Sequence, residues 1–274
     1  MKSSSITKQV RQALPIGSRL WTPNNLNHVI TWLMPRRLFR LGVGTGFSLW
    51  KDAKRNTQFV QATAARQPTL SQTKPDFNGL IVPDFDGTND FLADETPSDL
   101  LDVGTGDFYI MAAIKTGTVG FNSIVCLQRE NNNEQINFQI VGGRGSNNLR
   151  LLVSGLSSVT GSTTLTNNTT YLVYCERINN SMNVYLNGTK DNSTSPSNST
   201  SIDNNAASVL GARNTVPTGS FDGKIAEVVI GGSTSTNILS TRQRQLIEGY
   251  MAHNCGIASV LPDSHPYKKG PPRR

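Results

Sequence analysis

The chain has 274 residues and a mass of 29.8 kDa, enough for one large β domain with arms. Hydrophobic content of 36% suffices for a sandwich core, and no apolar run approaches the ~18 residues of a membrane helix. Cys126, Cys175 and Cys255 form an odd, widely spaced set without C-x-x-C, which argues for buried thiols over disulfides or zinc ligands.

The net charge of +7 is unevenly distributed. Residues 1–55 carry ten cationic side chains against Asp52 alone, and residues 262–274 carry four against Asp263. Residues 56–261 hold twelve basic and seventeen acidic side chains. An acidic body with basic ends suggests ends that dock on something anionic, the alternative being solvated tails. The N-terminus lacks the apolar stretch of a signal peptide, so a soluble protein outside the secretory route is expected. The N-x-S/T matches are then composition rather than glycosylation sites.

In chain order, residues 1–20 read as a basic arm in which 8–14 could form two helical turns, stopped by Pro15 and Gly17. Residues 29–33 (VITWL) are a compact strand candidate, followed by Met34-Pro35 and a segment mixing cationic and bulky apolar groups, Arg36, Arg37, Leu38, Phe39 and Arg40. The run 42–46 (GVGTG) invites a phosphate-loop reading. It fails because Phe47 stands where a third glycine is needed and no G-K-[ST] follows.

Residues 83–92 (PDFDGTNDFL) read as strand, tight turn, strand, with Phe85 and Phe91 as core anchors. Strands are then expected at 107–114, 123–127, 136–140, 149–153, 171–178, 182–186, 208–212 and 224–230. The fifth and sixth are joined by Asn179-Asn180-Ser181 as a hairpin, and Asn187-Gly188 marks another turn. Residues 189–205 read as a polar excursion without core content. Short strands without intervening helices indicate an antiparallel sandwich. One helix is predicted at about 240–254, with a Ser240 cap and an apolar stripe of Leu246, Ile247, Tyr250 and Met251. The domain plan is an arm at 1–20, a β domain at 21–261 and an extended basic tail at 262–274.

These residues carry a resemblance. Trp21-Thr22-Pro23, Trp50-Lys51-Asp52, 61–68 (QATAARQP), 85–92 (FDGTNDFL), 185–188 (YLNG), 221–230 (FDGKIAEVVI) and the closing helix with Gly256, Leu261 and His265-Pro266-Tyr267 occur in an order similar to LamG-like jelly rolls of the concanavalin A-like lectin/glucanase superfamily, as found in tailed-phage virion structural proteins. The resemblance implies an all-β antiparallel sandwich, a jelly roll of concanavalin A-like type, with a basic N-terminal arm and one C-terminal helix. The basic 36–40 segment stands where such proteins usually have an acidic one.

Retaining glucanases of that superfamily place paired carboxylates on one strand, about 5 Å apart. Here Glu176 and Glu227 stand singly, and Glu130 and Glu134 fall in an Asn-rich turn, so no catalytic residues are assigned. Asp84, Asp86, Asn89 and Asp90 offer oxygen ligands of the kind calcium prefers, or contacts to a glycan, with turn chemistry as the competing reading. No other cofactor is expected. His28, His253 and His265 lack ligand spacing, and Tyr109, Phe121, Tyr171 and Tyr185 fit core strand positions better than sugar platforms.

The resulting expectation is a non-enzymatic virion structural protein, a capsid decoration or tail-surface protein assembled in the host cytoplasm and oligomeric on the particle. It would dock on capsid or tail subunits through Lys8, Arg11, Arg36, Arg37, Leu38, Phe39 and Arg40. The alternative is an adhesion module for cell-surface glycans, using polar loops such as 142–148 and 189–205; a glycoside hydrolase ranks below both. Neither sequence-specific nucleic acid nor a membrane is expected as a partner.

Overall fold

A computed structural model describes residues 20–35, 38, 42–55, 57–72, 74, 76–94, 100–120, 122–130, 133–141, 147–153, 158–194, 201–203, 206–216 and 218–274, apart from the side chains at 126–130, 133–135 and 141. Two antiparallel sheets form a sandwich. Sheet I runs in the order β14 (Thr189–Thr194), β13 (Ser181–Leu186), β12 (Thr170–Ile178), β7 (Asp107–Thr116), β16 (Asp222–Ser233), β5 (Val82–Asp86) and β4 (Thr69–Ser71). Strand β1 (Val29–Leu33) also pairs with β16. Sheet II runs β11 (Val159–Thr164), β10 (Asn148–Val153), β9 (Asn133–Val141), β8 (Asn122–Glu130), β15 (Val209–Leu210), β6 (Leu92–Asp94), β3 (Gln58–Val60) and β2 (Leu49–Lys51).

The main core lies between the sheets. Phe108, Ile110, Ala112 and Ile114 of β7 meet residues such as Phe138, Ile140, Leu149 and Leu151 of sheet II. The alternate residues Tyr109, Met111 and Ala113 are equally buried, because they face a second apolar layer. That layer consists of Trp21, Trp32, Ile247, Tyr250, Met251, Ile257 and Leu261. Covering on both faces explains why β7 reads as a continuous apolar run rather than an alternating one. The layer is built on α1 (Thr241–Asn254), whose Ser240 Oγ accepts from Gln243 N while Gln243 Oε1 accepts from Ser240 N.

The hairpin at 179–180 forms as expected, with both asparagines at positive φ. Residues 83–92 form strand, tight turn and strand as expected, with β5 in sheet I and β6 in sheet II, so that the turn crosses the sandwich edge. Phe85 and Phe91 are both buried anchors as expected, Phe85 in the main core and Phe91 in a smaller cluster with Ala93, Val209 and Ala212. Residues 189–194 are no excursion but an edge strand, launched from β13 by Asn187 and Gly188 at positive φ. Residues 262–274 are not a free extended tail. They run in successive turns against α1, with His265 buried, Tyr267 O accepting from His253 Nε2 at 2.7 Å, and Trp21 N donating to Pro272 O at 3.1 Å. Gly249 permits this approach, since a Cβ there would stand 2.4 Å from Tyr267 Cβ.

Leu38 is 2% exposed within the main core. It is a core residue and offers no side chain for docking. Lys8, Arg11, Arg36, Arg37, Phe39 and Arg40 lie outside the described residues.

Candidate functional site

The outer face of sheet I has two parts. Under α1 its carboxylates are hydrogen-bonded by protein groups. Glu227 sits in β16 where the pairing edge passes from β5 to β1, at a register shift between Ile225 and Glu227. Its carboxylate accepts from Trp32 Nε1 at 2.6 Å, Asn254 Nδ2 at 2.8 Å and Cys255 Sγ at 3.3 Å. It therefore pins β1, β16 and the end of α1 together. Glu176 of β12 accepts from Tyr174 Oη, from Asn183 Nδ2 at 2.9 Å and from Tyr185 Oη at 3.3 Å. Burial raises the Glu176 pKa, against the opposing hydrogen bond from Tyr174 and the charge of Arg244. Glu248 of α1 pairs with Arg244 and, at 3.1 Å, with His265 Nε2.

Beyond the helix the same face opens into a cavity of about 240 Å³, lined by Asp84, Lys115, Thr116, Gly117, Asn168, Asp222, Gly223 and Lys224. The strands bring these residues together by register. Lys224 stands opposite Lys115 on one side and Asp84 on the other, and Asp222 stands opposite Asp86. Two lysines directly across a ladder repel. Asp76 relieves this, with Oδ2 at 2.8 Å from Lys115 Nζ and 3.3 Å from Lys224 Nζ. Burial opposes ionisation of Asp76, but the hydrogen bonds and charges of the two lysines outweigh it and lower its pKa. Asp84 is shifted upward by burial, with the charge of Asp222 adding to the shift and Lys224 opposing it. Asp222 folds over Gly117, where a Cβ would lie 2.1 Å from Oδ1, and its Oδ2 accepts from Thr118 N at 2.8 Å.

The cavity thus presents acceptors at Asp84 and Asp222, donors at Lys115 and Lys224, and an exposed amide at Asn168. No aromatic ring lines it among the described residues. Asp76, Asp84 and Asp222 against Lys115 and Lys224 leave the described cluster one negative charge in excess.

Of the four expected glycan or calcium residues, only Asp84 lines this cavity. Asp86 Oδ1 accepts from Thr88 N, Asn89 N and Asp90 N at 2.8, 3.0 and 3.2 Å, and Asp90 Oδ2 accepts from Asp86 N at 3.0 Å. Those carboxylates hold the turn between the sheets. The pKa of Asp90 is pushed up to about 6, by burial first and then by the charge of Asp86. Asn89 Oδ1 is buried without a hydrogen-bond partner among the described residues. No group of three or more His, Cys, Asp or Glu among the described residues could hold a metal ion.

Tyr109, Tyr171 and Tyr185 are core residues, and Phe121 lies outside the described residues. So do 142–146, 195–200 and 204–205 of the expected binding loops. The sequence reading missed Lys115, Asn168, Asp222 and Lys224. Pairing of β7 with β16 unites three of them across more than a hundred residues, and no local motif records that pairing.

A laminin G-type family profile, described as the concanavalin A-like lectin/glucanases superfamily, matches residues 86–236. The chain belongs to this superfamily. No curated protein sequence matches it. Among solved structures, domain 4 of AbnA, an extracellular arabinanase from Geobacillus stearothermophilus solved in complex with arabinotriose, is similar at TM-score 0.55 and 15% identity, over 78% of this chain and 95% of that one. Trypanosoma rangeli sialidase in complex with sialic acid is similar at TM-score 0.54 and 12% identity, over 86% of this chain but 34% of the sialidase. The binding domain of Paraclostridial Mosquitocidal Protein 1 is similar at TM-score 0.54 and 13% identity, over 81% of this chain and 52% of that one. At these identities the likeness is one of fold.

Proposed function

We propose that the chain is a non-catalytic carbohydrate-binding module whose ligand occupies the cavity between Asp84, Asn168 and Asp222. The observation carrying this reading is the convergence of carboxylate acceptors, ammonium donors and an exposed amide on one open polar cavity of about 240 Å³. Such groups suit vicinal hydroxyls, each of which both donates and accepts. The excess negative charge favours a neutral sugar over a uronate or sialate. Membership of the superfamily supports the reading, as does the arabinotriose bound by the arabinanase domain.

The non-catalytic part of the proposal concerns the two carboxylates that the sequence offered as glycosidase candidates, Glu176 and Glu227, and not the Asp84 and Asp222 of the cavity. Glu176 stands opposite Tyr109 and Glu227 opposite Ala113, on strands flanking β7. Two strand spacings and four residues separate their backbones by about 16 Å. Glycosidases of either stereochemistry need about 5–9.5 Å between carboxyl groups.

Calorimetric titration with neutral arabino-, gluco- and galacto-oligosaccharides tests the assignment. At least one should bind wild-type protein, and Asn168→Ala should weaken it about fivefold, the value of roughly one hydrogen bond. Binding unchanged in Asn168→Ala and Asp84→Asn would remove the cavity from consideration.

Display on a phage particle is a second reading, favoured by the concentration of ten cationic residues in 1–55 against an acidic body. Removal of residues 1–19 should then abolish incorporation into particles, and unchanged incorporation would end that reading.

A further inference from the structure

Lys190, Asn183 and Glu176 form a row across the three outermost strands of sheet I. Glu176 and Asn183 are directly paired across β12 and β13. The side chain of Asn183 is nearly inaccessible, with Nδ2 donating to Glu176 Oε1 at 2.9 Å and Oδ1 accepting from Lys190 Nζ at 2.9 Å. The register shift between Val184 and Tyr185 produces this arrangement. It turns Asp191 toward Ser162 and Thr163 of β11, while Lys190 extends back across the Tyr185 ring, 5.6 Å from its centroid. Tyr174 and Tyr185 hold the Glu176 carboxyl with their hydroxyls. An amine, a carboxamide and a buried carboxyl are therefore held in contact, in that order.

We propose that Lys190 and Asn183 join in an intramolecular isopeptide bond, formed once per molecule with Glu176 as the proton carrier. The Lys190 ammonium, which is exposed, first gives one proton to solvent, and the neutral amine then moves from Asn183 Oδ1 to the adjacent Cγ and forms the Nζ–Cγ bond. Glu176 accepts the proton that the attacking nitrogen loses and delivers it to Nδ2, which it already touches. The Cγ–Nδ2 bond breaks and Nδ2 leaves as ammonia. One amine and one carboxamide become one secondary amide and ammonia, with no change of oxidation state and no co-reactant. Prior positioning supplies the rate, since reactants held within hydrogen-bond distance need little further ordering. Glu176 is suited to its part because burial raises its affinity for a proton, which makes its carboxylate a stronger acceptor than an ordinary one. The link would tie the exposed edge strand β14 covalently to β13 (a strand edge otherwise held by hydrogen bonds alone).

The test is mass spectrometry of the full chain, intact and after trypsin. Wild-type protein should weigh one ammonia less than its sequence, and trypsin should fail to cleave after Lys190, giving a single peptide spanning 178–213. Lys190→Arg should restore the sequence mass. Glu176→Gln, checked for folding by its thermal transition, should leave Lys190 cleavable. A wild-type chain of full sequence mass, cleaved after Lys190, overturns the proposal. So does an ammonia loss that persists in Lys190→Arg, which would come from a succinimide at Asn187-Gly188.

Discussion

The outer face of sheet I carries buried or half-buried carboxylates along its whole length, yet its two ends differ in kind. Beneath α1, Glu227 meets three donors, Glu176 three, and Glu248 a guanidinium and an imidazole. Beyond the helix, Asp84 and Asp222 line an open cavity with two lysines that Asp76 bridges. The chemical groups are alike, and what separates them is the cover. A carboxylate under a helix must have its acceptor capacity met by protein, because an unmet charge there is costly. A carboxylate at an open cavity can leave capacity for solvent or ligand. On the proposed function, spare hydrogen-bonding capacity, rather than the presence of acidic residues, would distinguish the binding end of the sheet.

The contrast predicts opposite consequences for substitutions at the two ends. The largest effect belongs to Glu227→Ala, which strips three buried donors of their acceptor. Unfolding by urea should show a loss above about 3 kcal/mol, with little change in glycan affinity of the protein that remains folded. At the open end, Asp222→Ala should weaken glycan binding roughly tenfold in a titration while costing less stability than Glu227→Ala, since it removes one acceptor from the cavity and frees Thr118 N to solvent. Asn168→Ala should lower affinity about fivefold and lower the thermal midpoint slightly, because the exposed Asn168 sits at φ 53°, a conformation that Ala adopts less readily than Asn.

The smallest effect concerns pH. Asp90 has a folded pKa pushed up to about 6 by burial, above the ordinary aspartate value of 3.8. The native state therefore binds more protons than the unfolded state between those values, so this group lowers stability as pH rises through that window. Asp90→Asn should flatten the stability profile between pH ~4 and ~6 and leave it unchanged below, as measured by denaturant midpoints across pH. A steeper profile in the variant would contradict the assignment.

Much of the architecture is legible in the sequence because burial imposes patterns. The apolar run of β7, the Asn179-Asn180 hairpin and the Ser240 cap each have one strong physical reading. Strand β14 escapes because both its faces are polar and its residues are largely exposed, leaving only the Asn187-Gly188 turn as a signal. The run 83–92 is legible as strand, turn and strand but says nothing of which sheet each strand joins, because the Asx-type turn at Asp86 serves a crossing between sheets as well as it would serve a hairpin. The tail is misread because its anchors, Glu248 under His265 and Gly249 under Tyr267, lie on a helix whose packing face is set by tertiary contacts. Of the candidate site, Asp84 alone is foreseen. The remainder depends on Lys115 meeting Lys224 across β7 and β16, a pairing of distant residues that leaves no local mark.

Amide chemical shifts recorded during titration with the tightest-binding neutral oligosaccharide would show which face of the molecule takes the sugar. Perturbed amides should cluster at Gly117, Asn168, Gly223 and Lys224, and sialylated or uronate-containing ligands should perturb them less at equal concentration. Perturbations centred elsewhere on the molecule, or stronger responses at these amides to anionic sugars, would contradict the proposed binding site.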